Sequence, residues 1–207
     1  MRSFAMKMLW AWAGLFFAMA GGAAAQNNMH LGHITESWGD TPGKVGLITI
    51  LEEEAQIAAT HAKLAISNKE DLKNVRMHIA HVENAVDPSV VKSGPGKGYG
   101  VIKAAQGIAT HMGFAAGADA GDSLKMHSVH VIQCAKNVER WANEIMTKSG
   151  YIKGGASDVA SQFYADEVAD MTGWILNGRD ANGDGKISWE EGEGGLAQMK
   201  AHLGYIQ

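Results

Sequence analysis

The sequence contains a single cysteine, Cys134, which excludes an intramolecular disulfide. It has no Cys-x-x-Cys-His segment, and this excludes the ordinary covalent attachment of c-type haem. The motifs Gly-x-Ser-x-Gly and His-Glu-x-x-His and the P-loop are missing too, as is the Glu-x-x-His pair of ferritin-like di-iron proteins. These absences disfavour oxygen-activating catalysis and give no support to other enzyme classes, so we expect a binding protein rather than an enzyme.

The first 25 residues have the order of a secretory signal peptide. Arg2 and Lys7 supply positive charge, an apolar run covers residues 8–20, and small residues follow up to Ala25. The apolar run is shorter than the roughly 20 residues that a membrane-spanning helix needs. We therefore expect cleavage after Ala25, with no membrane span in the remaining chain, and export to the periplasm or the extracellular space.

Excess charge is confined to the last quarter of the chain. Residues 155–207 contain nine acidic and three basic residues, whereas residues 26–154 are balanced, with thirteen of each sign. A protein without a basic excess is not expected to bind nucleic acid. The acidic C-terminal part instead predicts a cation as its partner.

A calcium site is indicated by the segment DANGDGKISWEE, Asp180–Glu191. It resembles the EF-hand calcium-binding loop at all twelve positions. The resemblance implies Ca2+ ligands from the Lys186 carbonyl and from the side chains of Asp180, Asn182, Asp184, Ser188 and Glu191. No second loop of this kind occurs, and glycines at 192, 194 and 195 interrupt the exiting helix. We therefore expect a structural or buffering calcium rather than a calmodulin-like opening.

Helical periodicity of the apolar residues predicts an all-α fold. The predicted helices cover residues 44–66, 71–86, 101–116, 123–147 and 158–176, and the glycine-rich segment 94–100 is a crossover loop because no strand precedes it. We expect a four-helix bundle of two duplicated hairpins in residues 44–150. An N-terminal extension, 26–43, precedes it, and a single EF-hand segment, 156–207, follows.

The duplication is clearest in two histidine-bearing stretches, MHIAH at 77–81 and MHSVH at 126–130, which follow ATH segments ending at His61 and His111. Histidines three residues apart share a helix face, with a rise of about 4.5 Å. In each predicted hairpin the upstream histidine lies level with the pair. The sequence therefore predicts two trios for copper, zinc, nickel or iron: His61, His78 and His81, and His111, His127 and His130. We expect two separate sites, and a single binuclear site across the bundle is the alternative.

The same histidines have a simpler interpretation, which the sequence leaves open. They lie at the edge of the apolar helix stripe, and a duplicated scaffold repeats its histidines without using them. We expect His30, His33 and His202 to be surface residues. Methionines next to these histidines (Met77, Met112 and Met126) are interpreted as core residues rather than as soft copper ligands.

The sequence thus predicts an exported, calcium-binding helical protein that also binds or sequesters a transition metal, copper or zinc. Two alternatives stay open: a redox protein that holds non-covalent haem, and a calcium-stabilised interaction module without a transition metal. The sequence identifies no protein partner.

Overall fold

The computed structural model describes residues 29–117 and 119–206. The predicted signal peptide lies outside them. The described residues contain helices and no strands, so the all-α prediction is confirmed. None of the helices in this part of the chain has the length and apolar character needed to cross a bilayer.

The five predicted helices all form, and two further ones flank them. A helix, α1, covers the described residues 29–35, and a 3-10 turn follows at Pro42–Lys44. The remaining helices are α2 (Leu47–Ser67), α3 (Leu72–Val86), α4 (Val101–Ala115), α5 (Asp122–Lys153), α6 (Asp158–Asn177) and α7 (Leu196–Gly204). The Asp71 side chain caps α3 by accepting hydrogen bonds from the N–H groups of Lys73 and Asn74.

Helix α5 continues six residues beyond its predicted end at Thr147. Gly150 does not stop it, because one interior glycine costs only about 1 kcal/mol relative to alanine. Two features stabilise the additional residues of the helix. The Ile152 side chain is fully buried, and the Lys153 ammonium lies 2.8 Å from the carboxylate of buried Glu83 on α3. Tertiary contacts, which the local pattern does not contain, therefore set this helix end.

The helices share one hydrophobic core. Helix α2 packs on α3, α4 and α6, and α5 packs on α4, α6 and α7. Helix α6, which we had predicted as the entering helix of a separate EF-hand segment, contributes Ala165, Val168, Met171 and Ile175 to this core. The core is thus continuous across the predicted boundary between the bundle and the C-terminal segment.

The glycine-rich loop is held by a buried carboxylate on α2. Glu54 is fully buried and accepts hydrogen bonds from the backbone N–H groups of Lys97 (3.0 Å), Tyr99 (2.9 Å) and Gly100 (3.0 Å). A β-carbon at Gly96 would lie 2.8 Å from the Asn84 amide oxygen and 3.0 Å from the Glu54 carboxylate. The glycines therefore let the loop approach these two side chains, which makes the segment a packed crossover.

A second buried polar residue, Asn137 on α5, positions α7. Its amide nitrogen donates to the carbonyls of Glu190 (2.8 Å) and Gly194 (3.1 Å), and its oxygen accepts the N–H of Gly192 (2.9 Å). A β-carbon at Gly194 would lie 2.5 Å from the Cys134 sulfur, so only glycine fits there. The segment after the acidic loop thereby lies flat on α5, and α7 starts beside that helix.

Candidate metal centres

All nine histidines of the chain lie in three trios, and each histidine is partly buried. Within each trio, one nitrogen from each ring lies within 4.8 Å of the others. The trios are His30, His33 and His111; His61, His78 and His81; and His127, His130 and His202. We call them the α1/α4, α2/α3 and α5/α7 trios after the helices that carry them.

The α2/α3 trio is the one that the sequence predicts. The Nδ1 atom of His61 lies 3.0 Å from Nδ1 of His78 and 3.3 Å from Nδ1 of His81. The antiparallel α2–α3 hairpin brings His61 level with the pair on α3, as the spacing from the turn predicts.

The second predicted trio does not form, because His111 is not grouped with His127 and His130. Helices α4 and α5 do pack together, but equal height in a hairpin does not fix the direction in which a side chain points. His111 instead meets His30 and His33 of α1, with Nδ1–Nδ1 distances of 3.0 and 3.4 Å.

The α5/α7 trio is completed by His202, which we had expected at the surface. Its Nδ1 atom lies 3.1 Å from Nδ1 of His127 and 3.3 Å from Nδ1 of His130. His30, His33 and His202, expected as surface residues, are partly buried and each belongs to a trio. The structure contains three trios where the sequence predicts two.

The three trios repeat one arrangement. Each combines a His-x-x-His pair on one helix with a single central histidine on another: His111, His61 or His202. The Nδ1 of this central histidine makes both short contacts, at 3.0–3.4 Å in every trio. Three nitrogens that bind one ion tetrahedrally at about 2.0–2.1 Å lie about 3.3–3.4 Å apart. In each trio the two distances from the central Nδ1 are close to this value.

The sequence also contains a signal for the third His-x-x-His pair, His30 and His33, which the two-trio prediction does not use. Residues 29–34 read MHLGHI, which parallels MHIAHV at 77–82 and MHSVHV at 126–131. The residue after the second histidine (Ile34, Val82 or Val131) is fully buried in all three copies. This anchor turns each histidine pair to the edge of its helix, where a second helix can meet it. No comparable motif marks His202.

The protein environment favours the neutral form of the central histidines. Burial lowers the pKa of His61, and the neighbouring His81 and His78 lower it further. Burial and the neighbouring imidazoles likewise lower the pKa of His111 and of His202. Within the pairs, the pKa values of His33, His78 and His130 are lowered mainly by burial. A metal binds neutral imidazole, so these shifts favour ligation near neutral pH.

Aromatic side chains border two of the trios. The Trp38 ring lies 4.4 Å from His33 and 4.6 Å from His111, and the Trp189 ring lies 4.1 Å from His130. Phe114 and Tyr205, each three residues after a central histidine, lie 5.0 Å from His30 and 5.4 Å from His127. In the α2/α3 trio the equivalent position is Leu64. Apolar walls of this kind limit solvent access to a bound ion.

The acidic loop has several features of a calcium loop. The Asp180 carboxylate accepts the N–H groups of Gly183 (2.6 Å), Asp184 (3.2 Å) and Gly185 (2.9 Å). The positive φ of Gly185, 82°, allows the sharp turn that the resemblance requires. The oxygens of Asn182 and Asp184 each accept a backbone N–H two residues further on.

The two glutamates that follow have different positions. The Glu191 carboxylate is exposed and pairs with Arg140 of α5 at 3.2 Å. The Glu193 carboxylate is almost fully buried and accepts the Ser188 N–H at 2.9 Å. Hydrogen bonds from the Ser188 backbone and hydroxyl lower the pKa of Glu193, so it is a carboxylate at neutral pH. Glu193 thus contacts the loop through Ser188, whereas the expected calcium ligand Glu191 pairs with Arg140.

Comparisons with known proteins find no matching family model, no similar curated protein and no similar solved structure. Functional inference therefore has to come from the chemistry of the trios. Three convergent imidazoles could hold a metal ion.

Proposed function

We propose that the protein binds transition-metal ions, one in each histidine trio, and sequesters or carries them. The observation that supports this most directly is the convergence of all nine histidines, through Nδ1, into three near-identical sets. In a trio without a cation, the central Nδ1 can share one proton with only one of its two neighbours. The Nδ1 of the other neighbour then faces the central nitrogen at a short distance without a hydrogen bond of its own. A metal ion removes this conflict.

The threefold repetition favours binding over catalysis. An enzyme needs one site with an acid, a base or a shaped pocket beside the reacting atoms. Here the same set of three nitrogens recurs on three different pairs of helices, at partly buried positions. This repetition favours a protein that binds several metal ions over one that catalyses a reaction. Export of the chain would place this metal binding outside the cytoplasm.

Non-covalent haem fits the trios poorly. A haem held by two imidazoles lies between them, whereas the central nitrogen of each trio lies within 3.4 Å of both partners. That separation leaves no room for a macrocycle. A bare ion is the occupant that the spacing favours.

Calcium binding by residues 180–193 is a second, separate proposal. The three backbone N–H groups that converge on Asp180 favour it, because they fix the loop in a turn whose remaining carboxylate and amide oxygens suit a hard cation. We propose that this calcium fixes the segment that leads to α7 and thereby supports the α5/α7 trio.

The metal stoichiometry of the full chain tests the main proposal. With calcium present to fill the loop, we expect three equivalents of Cu2+ or Zn2+ after removal of excess metal. His61→Ala, His111→Ala and His202→Ala should each lower this number by one, and the triple variant should bind none. Asn143→Ala, an exposed change on α5 outside the trios, is the control. Full stoichiometry in the triple variant, or no binding by the original protein, would refute the proposal. The second result would favour an interaction module.

A further inference from the structure

The methionines of the described chain divide sharply by exposure. Met112, Met171 and Met199 are buried, and Met146 is partly buried against the core. The exposed methionines are Met29 (51%), Met77 (48%) and Met126 (55%), and each directly precedes a His-x-x-His pair. The interpretation of Met77 and Met126 as core residues is therefore wrong. Three equivalent positions have the same apolar, sulfur-containing side chain in contact with solvent.

Helix geometry places each of these methionines beside a ligand. Residues four apart on a helix share a face, separated by about 40° and 6 Å of rise. Met29, Met77 and Met126 stand four residues before the second histidine of their pair. Side chains on a helix lean toward its N-terminus, so this histidine leans over the turn that carries the methionine. The methionine is flexible enough to reach the same ion.

We infer that each trio is a copper(I) site whose fourth ligand is the thioether of the preceding methionine: Met29, Met77 or Met126. This inference rests on the proposed function, because it takes the trios as metal sites and names their metal. A thioether is a soft ligand that selects Cu(I), and it adds little for Zn2+, which takes water in the same position.

Core packing does not account for these three side chains. Packing selects methionine for its ability to fill irregular gaps, and an exposed side chain fills none. Leucine has an equal helix propensity and lacks the sulfur, so neither helix formation nor apolar character explains the repeated choice. The feature that methionine adds at all three sites is a soft donor next to three imidazoles.

Parallel affinity measurements test the inference. Cu(I) affinity is measured without oxygen by competition with the chelator bicinchoninate, and Zn2+ affinity by competition with a chromophoric zinc chelator. The variant Met29→Leu/Met77→Leu/Met126→Leu keeps size and helix propensity but removes the thioethers. We expect it to lose at least about tenfold in Cu(I) affinity and to keep its Zn2+ affinity within about twofold. Met146→Leu on α5, outside the trios, should change neither.

The possible failures are distinguishable. If the original protein binds Cu(I) and the triple leucine variant binds it equally well, the thioethers are not ligands and the inference is overturned, while the metal-binding proposal stands. Equal losses for Cu(I) and Zn2+ would show a general structural effect and would also overturn it. If the original protein binds neither ion, both proposals fail. X-ray absorption of the Cu(I) form should show a sulfur neighbour that is lost in the triple variant.

Discussion

The imidazole of His130 stacks on the indole of Trp189, with ring centroids 4.1 Å apart and 22° between the ring planes. Trp189 lies in the acidic loop segment, and His130 belongs to the α5/α7 trio. The predicted calcium loop therefore directly contacts a predicted transition-metal ligand. An ion bound in the trio lies within a few ångströms of an indole that reports on it.

We predict that Cu2+ binding quenches Trp189 fluorescence, because a paramagnetic ion deactivates an excited indole at short range. Trp189→Phe should remove a clear share of the copper-dependent quenching and leave three bound equivalents. Trp174→Phe is the matched control, since the Trp174 ring packs against Trp141 and Arg179. Identical losses in the two variants would contradict a metal beside Trp189.

The buried Glu54 is predicted to stabilise the crossover loop. Glu54→Gln replaces one carboxylate oxygen by an NH2 group, which cannot accept the Lys97 N–H, so we expect a loss of about 1–3 kcal/mol in the free energy of unfolding. Urea denaturation measures it. Glu52→Gln on the same helix breaks a partly exposed pair with Lys200 and should cost less than about 1 kcal/mol. An equal cost for both changes would argue against the role of Glu54.

The local sequence pattern predicts the helices well, but it predicts the histidine contacts between helices only in part. The apolar period and the Asp71 cap locate α3 to within a residue, and the short turn after α2 makes the His61 pairing a local consequence. The partner of His111 is 81 residues away in α1, a segment for which the apolar pattern predicts no helix. That contact depends on the direction of the α4 side chains, which the packing of the whole core sets.

We predict that a decrease in pH releases the metal and lowers the free energy of unfolding. In six histidines the pKa lies below the ordinary value of 6.5. The unfolded chain therefore takes up these protons at a higher pH than the folded one. The free energy of unfolding of the metal-free protein should fall as pH decreases from about 6.5 through the lowered pKa values.

Urea denaturation between pH 5 and pH 8 measures this effect. The variant that changes His61, His111 and His202 to Ala lacks the three central groups, and its pH dependence should be flatter. Bound Zn2+ should steepen the dependence in the original protein, because protons compete for its ligands. A stability that stays constant between pH 5 and pH 8 would contradict the lowered pKa values.

The calcium loop makes the last prediction, which concerns the two glutamates. If the loop binds Ca2+ with the carboxylate that already contacts it, Glu193→Gln should abolish the calcium-dependent rise in melting temperature. Glu191→Gln should leave most of that rise, because this carboxylate pairs with Arg140. Scanning calorimetry with and without millimolar Ca2+ measures both, and Glu190→Gln is a control of equal charge in the same turn. The reverse ranking would mean that Ca2+ draws Glu191 from Arg140 into the loop, as the twelve-residue pattern implies. No calcium heat and no stabilisation of the original protein would refute the calcium proposal and leave the histidine trios untouched, since their nitrogens converge without it.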